Sequence, residues 1–318
     1  MEATTKPAPL RSIEDWFERR SYVHSEFANI ELLSRKKREL GVSLTVVLPA
    51  REVALTIGGI IDQIRAVGGR APLVDQLVVV DADSSDGSAA IAATHGAEVY
   101  LESELLPRFG PALGKGDAMW RALSVVRGDL VIYLDSDTTD FGARFVYGLC
   151  GPLLTHPRLR FVKAAYSRPL RNGGAPDGEG SGRVTELTAR PLFNLSYPEL
   201  TGFAQPLAGE IAASAVLLRS IPFFTGYAVE TGMLIDVLRA VGLDAMAQVD
   251  VETRTNRNQG LLALSKMSYE VLRAVEVRLR GDQADGDFYA HATRSTESLE
   301  LEFSKVKLVE RPPMAEIL

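Results

Sequence analysis

Leu130-Val131-Ile132-Tyr133-Leu134-Asp135-Ser136-Asp137 is an unbroken apolar run that stops at two carboxylates separated by one serine. A run of this length, rich in β-branched and aromatic residues, predicts a strand buried on both faces, as in an α/β sheet. Ligands of such sheets bind at the carboxyl ends of the strands. If the chain stays extended, Asp135 and Asp137 point the same way, roughly 7 Å apart. Two carboxylates aimed at one place repel unless a cation or a proton lies between them, and a divalent metal is the expected occupant.

The chain has 318 residues, enough for one large α/β domain or two closely packed ones. Its net charge of −6 leaves no footprint for nucleic acid or for an anionic membrane surface. No apolar run is long enough to cross a bilayer. The segment MEATTKPAPLRSIEDWFERR lacks the apolar core of a signal peptide, so a cytoplasmic location is expected. The single cysteine, Cys150, reads as a small core residue.

Residues 1–43 read as a helical packing appendage. Ser12-Ile13-Glu14-Asp15 is expected to start a helix, with Trp16, Phe17, Tyr22 and Phe27 docking it on the body. Alternation of strands and helices begins at Leu44. Strands are expected at 44–48, 76–80, 98–100, 130–134, 160–166 and 247–251, and another near 207–210. Helices are expected over 54–67, 88–95, 117–126, 184–195, 229–241 and 261–280. This order predicts a mostly parallel sheet with right-handed crossovers and helices on both faces. The stretch RNGGAPDGEGSG (171–182) is a long aperiodic loop of the kind that carries function. Residues 281–318 read as a charged tail, either a flexible extension or an arm on a second subunit.

Several phosphate and metal motifs are absent. No G-x-G-x-x-G follows the first strand, and Gly110 to Gly116 has the wrong spacing for a P-loop. Asp81 to Gly87 imitates a calcium loop, but Ala92 stands where the bidentate glutamate belongs. Lys115, between two glycines at a helix start, suits a diphosphate, though a plain surface lysine fits the same pattern. The Asp135/Asp137 pair fits a metal that bridges the diphosphate of a nucleotide sugar. It also fits the D-x-D-x-T of a haloacid-dehalogenase-type phosphatase with Asp135 as nucleophile. That phosphatase motif normally opens its sheet, whereas here two acid-ended strands precede it. Position therefore favours the transferase.

The motifs V-V-L-P-A-R-E, V-V-V-D-A-D-S-S-D-G and L-D-S-D resemble a nucleotide-sugar glycosyltransferase of GT-A (Rossmann-like) fold with a smaller acceptor-binding subdomain. Gly114 to Trp120, Gly182 to Leu187, Gln205 to Glu210 and Gly226 to Gly232 narrow the resemblance. They are similar to the glucosyl- and mannosyl-3-phosphoglycerate synthases, retaining enzymes that attach a hexose to the 2-hydroxyl of 3-phosphoglycerate. The match runs from about Val46 to Asn258, and implies a nucleotide-sugar core at 44–170 and an acceptor-binding part at 171–280.

The resemblance assigns Pro49, Ala50, Arg51, Glu52 and Ala82 to the nucleobase and ribose. It gives Lys115, Asp135 and Ser136 to the nucleotide sugar, and Tyr227 and Glu230 to the transferred hexose. Asp137, with Asn256, would hold Mg²⁺ or Mn²⁺. Gly182, Arg183, Val184, Thr185 and Asn258 would bind the acceptor, whose phosphate and carboxylate call for an arginine, a hydroxyl and backbone N–H groups. The chain departs from its relatives at Asn256, where they carry a histidine, and at Ala82, where some carry a small hydroxyl residue. Asp135, Asp137, Lys115 and Glu230 are the expected catalytic group, acting by a metal-dependent, front-face transfer. UDP-glucose is the favoured donor and GDP-mannose the alternative. A homodimer is expected, with no nucleic-acid or membrane partner.

Overall fold

The computed structural model describes residues 8–69, 72–167, 182–254, 260–281, 288–294, 298–306 and 308–318. In chain order its first half holds α1 (Ala8–Arg20), β1 (Ser21–Val23), α2 (Ile30–Leu40), β2 (Leu44–Ala50), α3 (Ile57–Ala66), β3 (Gln76–Asp81), α4 (Ser88–Thr94), β4 (Glu98–Leu101), α5 (Lys115–Ala122), β5 (Leu130–Tyr133) and α6 (Arg144–Thr155). Then follow β6 (Phe161–Ser167), α7 (Arg190–Ser196), β7 (Ile211–Ser214), α8 (Ala215–Ser220), β8 (Phe223–Phe224), α9 (Val229–Val241), β9 (Met246–Thr253) and α10 (Leu261–Arg280). The hairpin β10 (Phe288–Arg294) and β11 (Leu299–Lys305) and the short β12 (Glu310–Arg311) complete it.

Eight strands form one sheet in the order β1-β9-β6-β7-β5-β2-β3-β4. Alternate residues of its central strands feed two cores. Val47, Val78, Val131 and Tyr133 pack on one face, and Val46, Leu48, Val79 and Ile132 on the other. Successive strand side chains point to opposite faces, so burial on both sides gives the unbroken apolar runs of the sequence. The mostly parallel GT-A architecture is as expected, with β7 antiparallel to both its neighbours. That reversal matters for the site. The amino end of β7 meets the carboxyl ends of β5 and β6, which brings Leu207 to Glu210 onto the ligand face.

Several local expectations need correction. The opening run leaves the sheet after Tyr133, so Asp135 and Asp137 lie in the loop beyond β5. Helix α1 begins at Ala8, which puts Ser12 inside it instead of at its cap. Trp16 docks this helix through its indole N–H, which lies 3.0 Å from the carbonyls of both Leu243 and Met246, and Phe27 is also buried, but Phe17 faces solvent. The N-terminal segment also supplies β1, which pairs with β9 at the sheet edge. Segments 1–43, 44–170 and 171–280 thus all contribute strands to one sheet. Helix α6 was not expected. It is buried along most of its length and contains Gly148, Gly151 and Pro152, so it shows neither amphipathic period nor strong propensity. The expected helix 184–195 is divided: Thr185–Ala189 winds as a π-helix before α7 takes over.

The C-terminal segment is not a free tail. Strand β12 pairs with β8, and Met314 is buried in the core. Arg311 forms a two-pronged ion pair with Asp117 of α5, Nε to Oδ1 and Nη2 to Oδ2, each 2.8 Å. Asp117 is fully buried and also lies 3.3 Å from Arg121 Nε. No helix among the described residues is long and apolar enough to cross a membrane. Because losing one partner leaves a buried charge short of compensation, Arg311→Ala is expected to destabilise the fold by about 3–5 kcal/mol. A urea unfolding midpoint unchanged from wild type would refute that anchoring role.

Candidate active site

A cavity of about 680 Å³ opens at the carboxyl ends of the central strands. Pro49, Ala50, Arg51 and Ala82 line it from the ends of β2 and β3, and Lys115 from the start of α5. Asp135, Ser136 and Asp137 line it from the loop after β5, and Tyr227 and Glu230 from the approach to α9 and its first turn. Gly182, Arg183, Val184 and Thr185 border the same space. Residues as far apart in the chain as Pro49 and Val271 therefore meet in one pocket.

Asp135 is the centre of the charged end. Its Oδ1 lies 2.6 Å from Lys115 Nζ, and its Oδ2 accepts from Arg254 Nη2 at 2.6 Å. Lys115 reaches on to Glu230 Oε1 at 3.0 Å. Burial works against the Asp135 charge, but Lys115 and Arg254 outweigh it and hold the carboxyl well below its usual range. Burial likewise opposes the Lys115 ammonium, yet Asp135, Glu230 and Glu210 keep its pKa above the ordinary lysine value. Asp135 and Lys115 thus hold each other in their charged forms. Gly209 makes room for it, since a Cβ there would collide with Lys115 Nζ and Asp135 Oδ1.

Arg254, at the end of β9, is almost fully buried and binds across three elements. Its Nε donates to Thr138 Oγ1 at 3.1 Å and its Nη1 to Tyr166 OH at 3.1 Å. Glu210 Oε1 stands 2.8 Å from the same Nε as an ion contact, off the N–H direction already taken by Thr138. Burial raises the Glu210 pKa, opposed chiefly by Arg254. The loop after β5 is pinned from the other side. Ser136 Oγ donates to Pro49 O at 2.6 Å, and Thr56 Oγ1 donates to Ser136 O at 2.6 Å.

Some expected residues fall elsewhere. Glu52 is exposed, its carboxylate accepting from Ser85 N at 2.9 Å, so its side chain is turned to the Ser84–Ser85 turn and not to the cavity. Asn256 and Asn258 lie outside the described residues. Arg254, which sequence reasoning did not place here, also reaches Asp137 Oδ1 at 3.3 Å and so lies beside both aspartates. Arg254, Glu210, Gly209 and Glu102 all line or border the site without having been singled out for it. Glu210 carried a signal, an acid heading a buried strand.

Asp135 has both oxygens engaged, whereas the Asp137 side chain is 57% exposed and only its Oδ1 is bonded among the described residues. Among those residues no group of three or more His, Cys, Asp or Glu side chains gathers as a metal cage. That donor set fits a hard cation such as Mg²⁺ or Mn²⁺, which takes one or two carboxylates and completes its shell with phosphate oxygens and water.

Comparison with known proteins agrees with this geometry. A family model described as glycosyl transferase family 2 matches residues 45–149. The glucosyl-3-phosphoglycerate synthase of Petrotoga mobilis is 42% identical over 262 residues, 82% of this chain and 81% of that protein. The crystal structure of mannosyl-3-phosphoglycerate synthase from Rubrobacter xylanophilus has a TM-score of 0.88 at 56% identity, covering 99% of this chain and 100% of that one. That of glucosyl-3-phosphoglycerate synthase from Mycobacterium tuberculosis, in complex with Mn²⁺, UDP and phosphoglyceric acid, has a TM-score of 0.81 at 38% identity, covering 91% of this chain and 95% of that one.

The charge cluster carries a pH signature. Because the folded-state pKa of Asp135 is depressed, its contribution is complete above the unfolded carboxyl value of about 3.9 and is lost as pH falls below it. The wild type is therefore expected to lose more stability on acidification through that range than Asp135→Asn. Parallel acid-unfolding curves for the two proteins would contradict this.

Proposed function

The chain belongs to the family of glucosyl- and mannosyl-3-phosphoglycerate synthases, and from that premise we propose that it transfers a hexose from a nucleotide sugar to the 2-hydroxyl of 3-phosphoglycerate with retention of configuration. The observation that carries the reading is the shared cavity, in which a lysine–aspartate–arginine cluster faces the Gly182–Thr185 segment. The family membership sets the phosphatase alternative aside. Glucosyl transfer from UDP-glucose is the first reading, supported by the glucosyl relatives, one of whose structures contains Mn²⁺, UDP-glucose and phosphoglyceric acid. Mannosyl transfer from GDP-mannose is the second, supported by the 56% identity to the mannosyl enzyme.

In this reading the nucleoside lies along Pro49, Ala50, Arg51 and Ala82, and the diphosphate rests beside Lys115 and Ser136. Asp137, with Asn256, holds Mg²⁺ or Mn²⁺, which neutralises charge on the leaving diphosphate. Lys115 and Arg254 supply fixed positive charge at the same end, held by Asp135 so that little reorganisation accompanies bond breaking. Tyr227 and Glu230 flank the hexose, and Arg183, Thr185 and the backbone at Gly182 and Val184 receive the acceptor, with Asn258 closing its pocket. Asp135 has both oxygens tied and Glu230 gives Oε1 to Lys115, which favours positioning over nucleophilic attack. The 2-hydroxyl then attacks on the face the diphosphate leaves, and its proton passes to a departing phosphate oxygen.

A homodimer in the cytoplasm completes the proposal. Supporting it, Phe288 of β10 and Leu299, Leu301 and Phe303 of β11 expose apolar side chains on the hairpin.

UDP-glucose, GDP-glucose and GDP-mannose crossed with 3-phosphoglycerate, with and without Mg²⁺ or Mn²⁺, should give metal-dependent hexosyl product from at least one donor. Asp137→Ala should fold normally and abolish that turnover; wild-type rates in the variant would end the proposed role. Arg183→Ala should raise the KM for 3-phosphoglycerate far more than that for the nucleotide sugar, and an equal rise in both would remove Arg183 from the acceptor site.

A further inference from the structure

The sheet order β5-β2-β3-β4 sets out a row of strand ends with the Asp135 cluster at one end. At the other end, three strand spacings or on the order of 14 Å away, stands Glu102. It follows the last residue of β4, and its N–H donates to Asp81 O at 2.8 Å, which sets it beside Ala82. Glu102 is only 1% exposed, yet it lines the cavity, and its enclosed Oε1 has no hydrogen-bond partner among the described residues. Arg51 lines the same cavity from the end of β2, while the two buried arginines on this side are committed elsewhere. Arg121 donates to the backbone carbonyls of Leu105 and Gly110, and Arg311 is spent on Asp117. Leaving a buried carboxyl unpaired is costly, and a bound ligand that donates to it recovers that cost.

We propose that Glu102 reads the hydrogen-bonding edge of the donor's nucleobase, accepting guanine when ionised and uracil when protonated. This rests on the nucleotide-sugar reading above and deepens it by naming what selects the base. Guanine presents N1–H and an N2–H side by side, two donors that match the two acceptor oxygens of a carboxylate. Uracil presents N3–H beside a carbonyl, a donor and an acceptor that match the C=O and O–H of a carboxylic acid. The same side chain therefore serves either base, and the proton decides which.

The surroundings leave that choice open near neutrality. Burial is the main influence and pushes the Glu102 pKa up to about 7. Asp117 of α5 and Asp83 after β3 act in the same direction, while Arg121 of α5 and Arg51 after β2 oppose them.

The test is calorimetric titration of the full chain with UDP and with GDP, in the presence of Mn²⁺, from about pH 6 to about pH 8. The GDP-to-UDP affinity ratio of the wild type should rise about tenfold or more across that range. Glu102→Gln offers one acceptor and one donor and mimics the protonated acid. It should keep UDP binding within about threefold, weaken GDP about tenfold or more, and lose the pH dependence. Retained UDP binding shows that the variant folds. A flat wild-type ratio, or a variant with the wild-type ratio and slope, would overturn the assignment of Glu102. Failure of the wild type to bind either nucleotide would overturn the nucleotide-sugar reading itself, and the inference with it.

Discussion

One guanidinium lies where three carboxylates converge. Arg254 contacts Asp135, Asp137 and Glu210, which arrive from the carboxyl end of β5 and the amino end of β7, while Arg254 itself comes from the end of β9. Removing that cation would leave Asp135 sharing Lys115 with Glu230 and would leave the buried Glu210 carboxylate with Tyr166 as its one hydrogen-bond partner among the described residues. A buried ion group of this kind adds little net stability compared with apolar packing, because desolvation offsets most of its attraction. Its value lies in geometry. The charges are already oriented and already dry, so they respond to a developing negative charge without rearranging.

The antiparallel β7 is what makes the convergence possible. A sheet of parallel strands alone would send the segment before β7 to the opposite edge, away from any ligand at the carboxyl ends. Reversal places Gly209 against the Lys115–Asp135 pair, where only a residue without a side chain fits. Tyr133 adds a further tie, donating from β5 to Met119 O in α5 at 2.8 Å, so that the helix carrying Lys115 and the strand leading to Asp135 move as one body.

The order of strands and helices through the first half of the chain was legible because doubly buried strands leave continuous apolar runs and surface helices leave a clear period. Helices α9 and α10 were also legible to their ends. What escaped was structure without such a signature. Three residues of β1 are too few to show alternation. Helix α6, enclosed on nearly every side, has no polar face to mark its turns. At the site, the acids that close an apolar run pointed to Asp135 and Asp137 and the glycine-flanked helix start to Lys115, whereas Glu230 came from the family resemblance. Arg254 stands only two residues before Asn256, but its partners lie in the loop after β5 and just before β7, and only tertiary folding reveals that it is a counter-ion. Glu102 follows a four-residue strand with no motif around it, so its burial could not be foreseen.

The pairing of Arg311 with Asp117 bears on how the molecule is made. A ribosome releases the helix that carries Lys115 long before it releases Arg311, and in that interval Asp117 has Arg121 alone beside it. The helix that carries Lys115 therefore gains its second counter-ion only after Arg311, 194 positions beyond Asp117, has been made, and the cavity wall it forms is tied to that late contact.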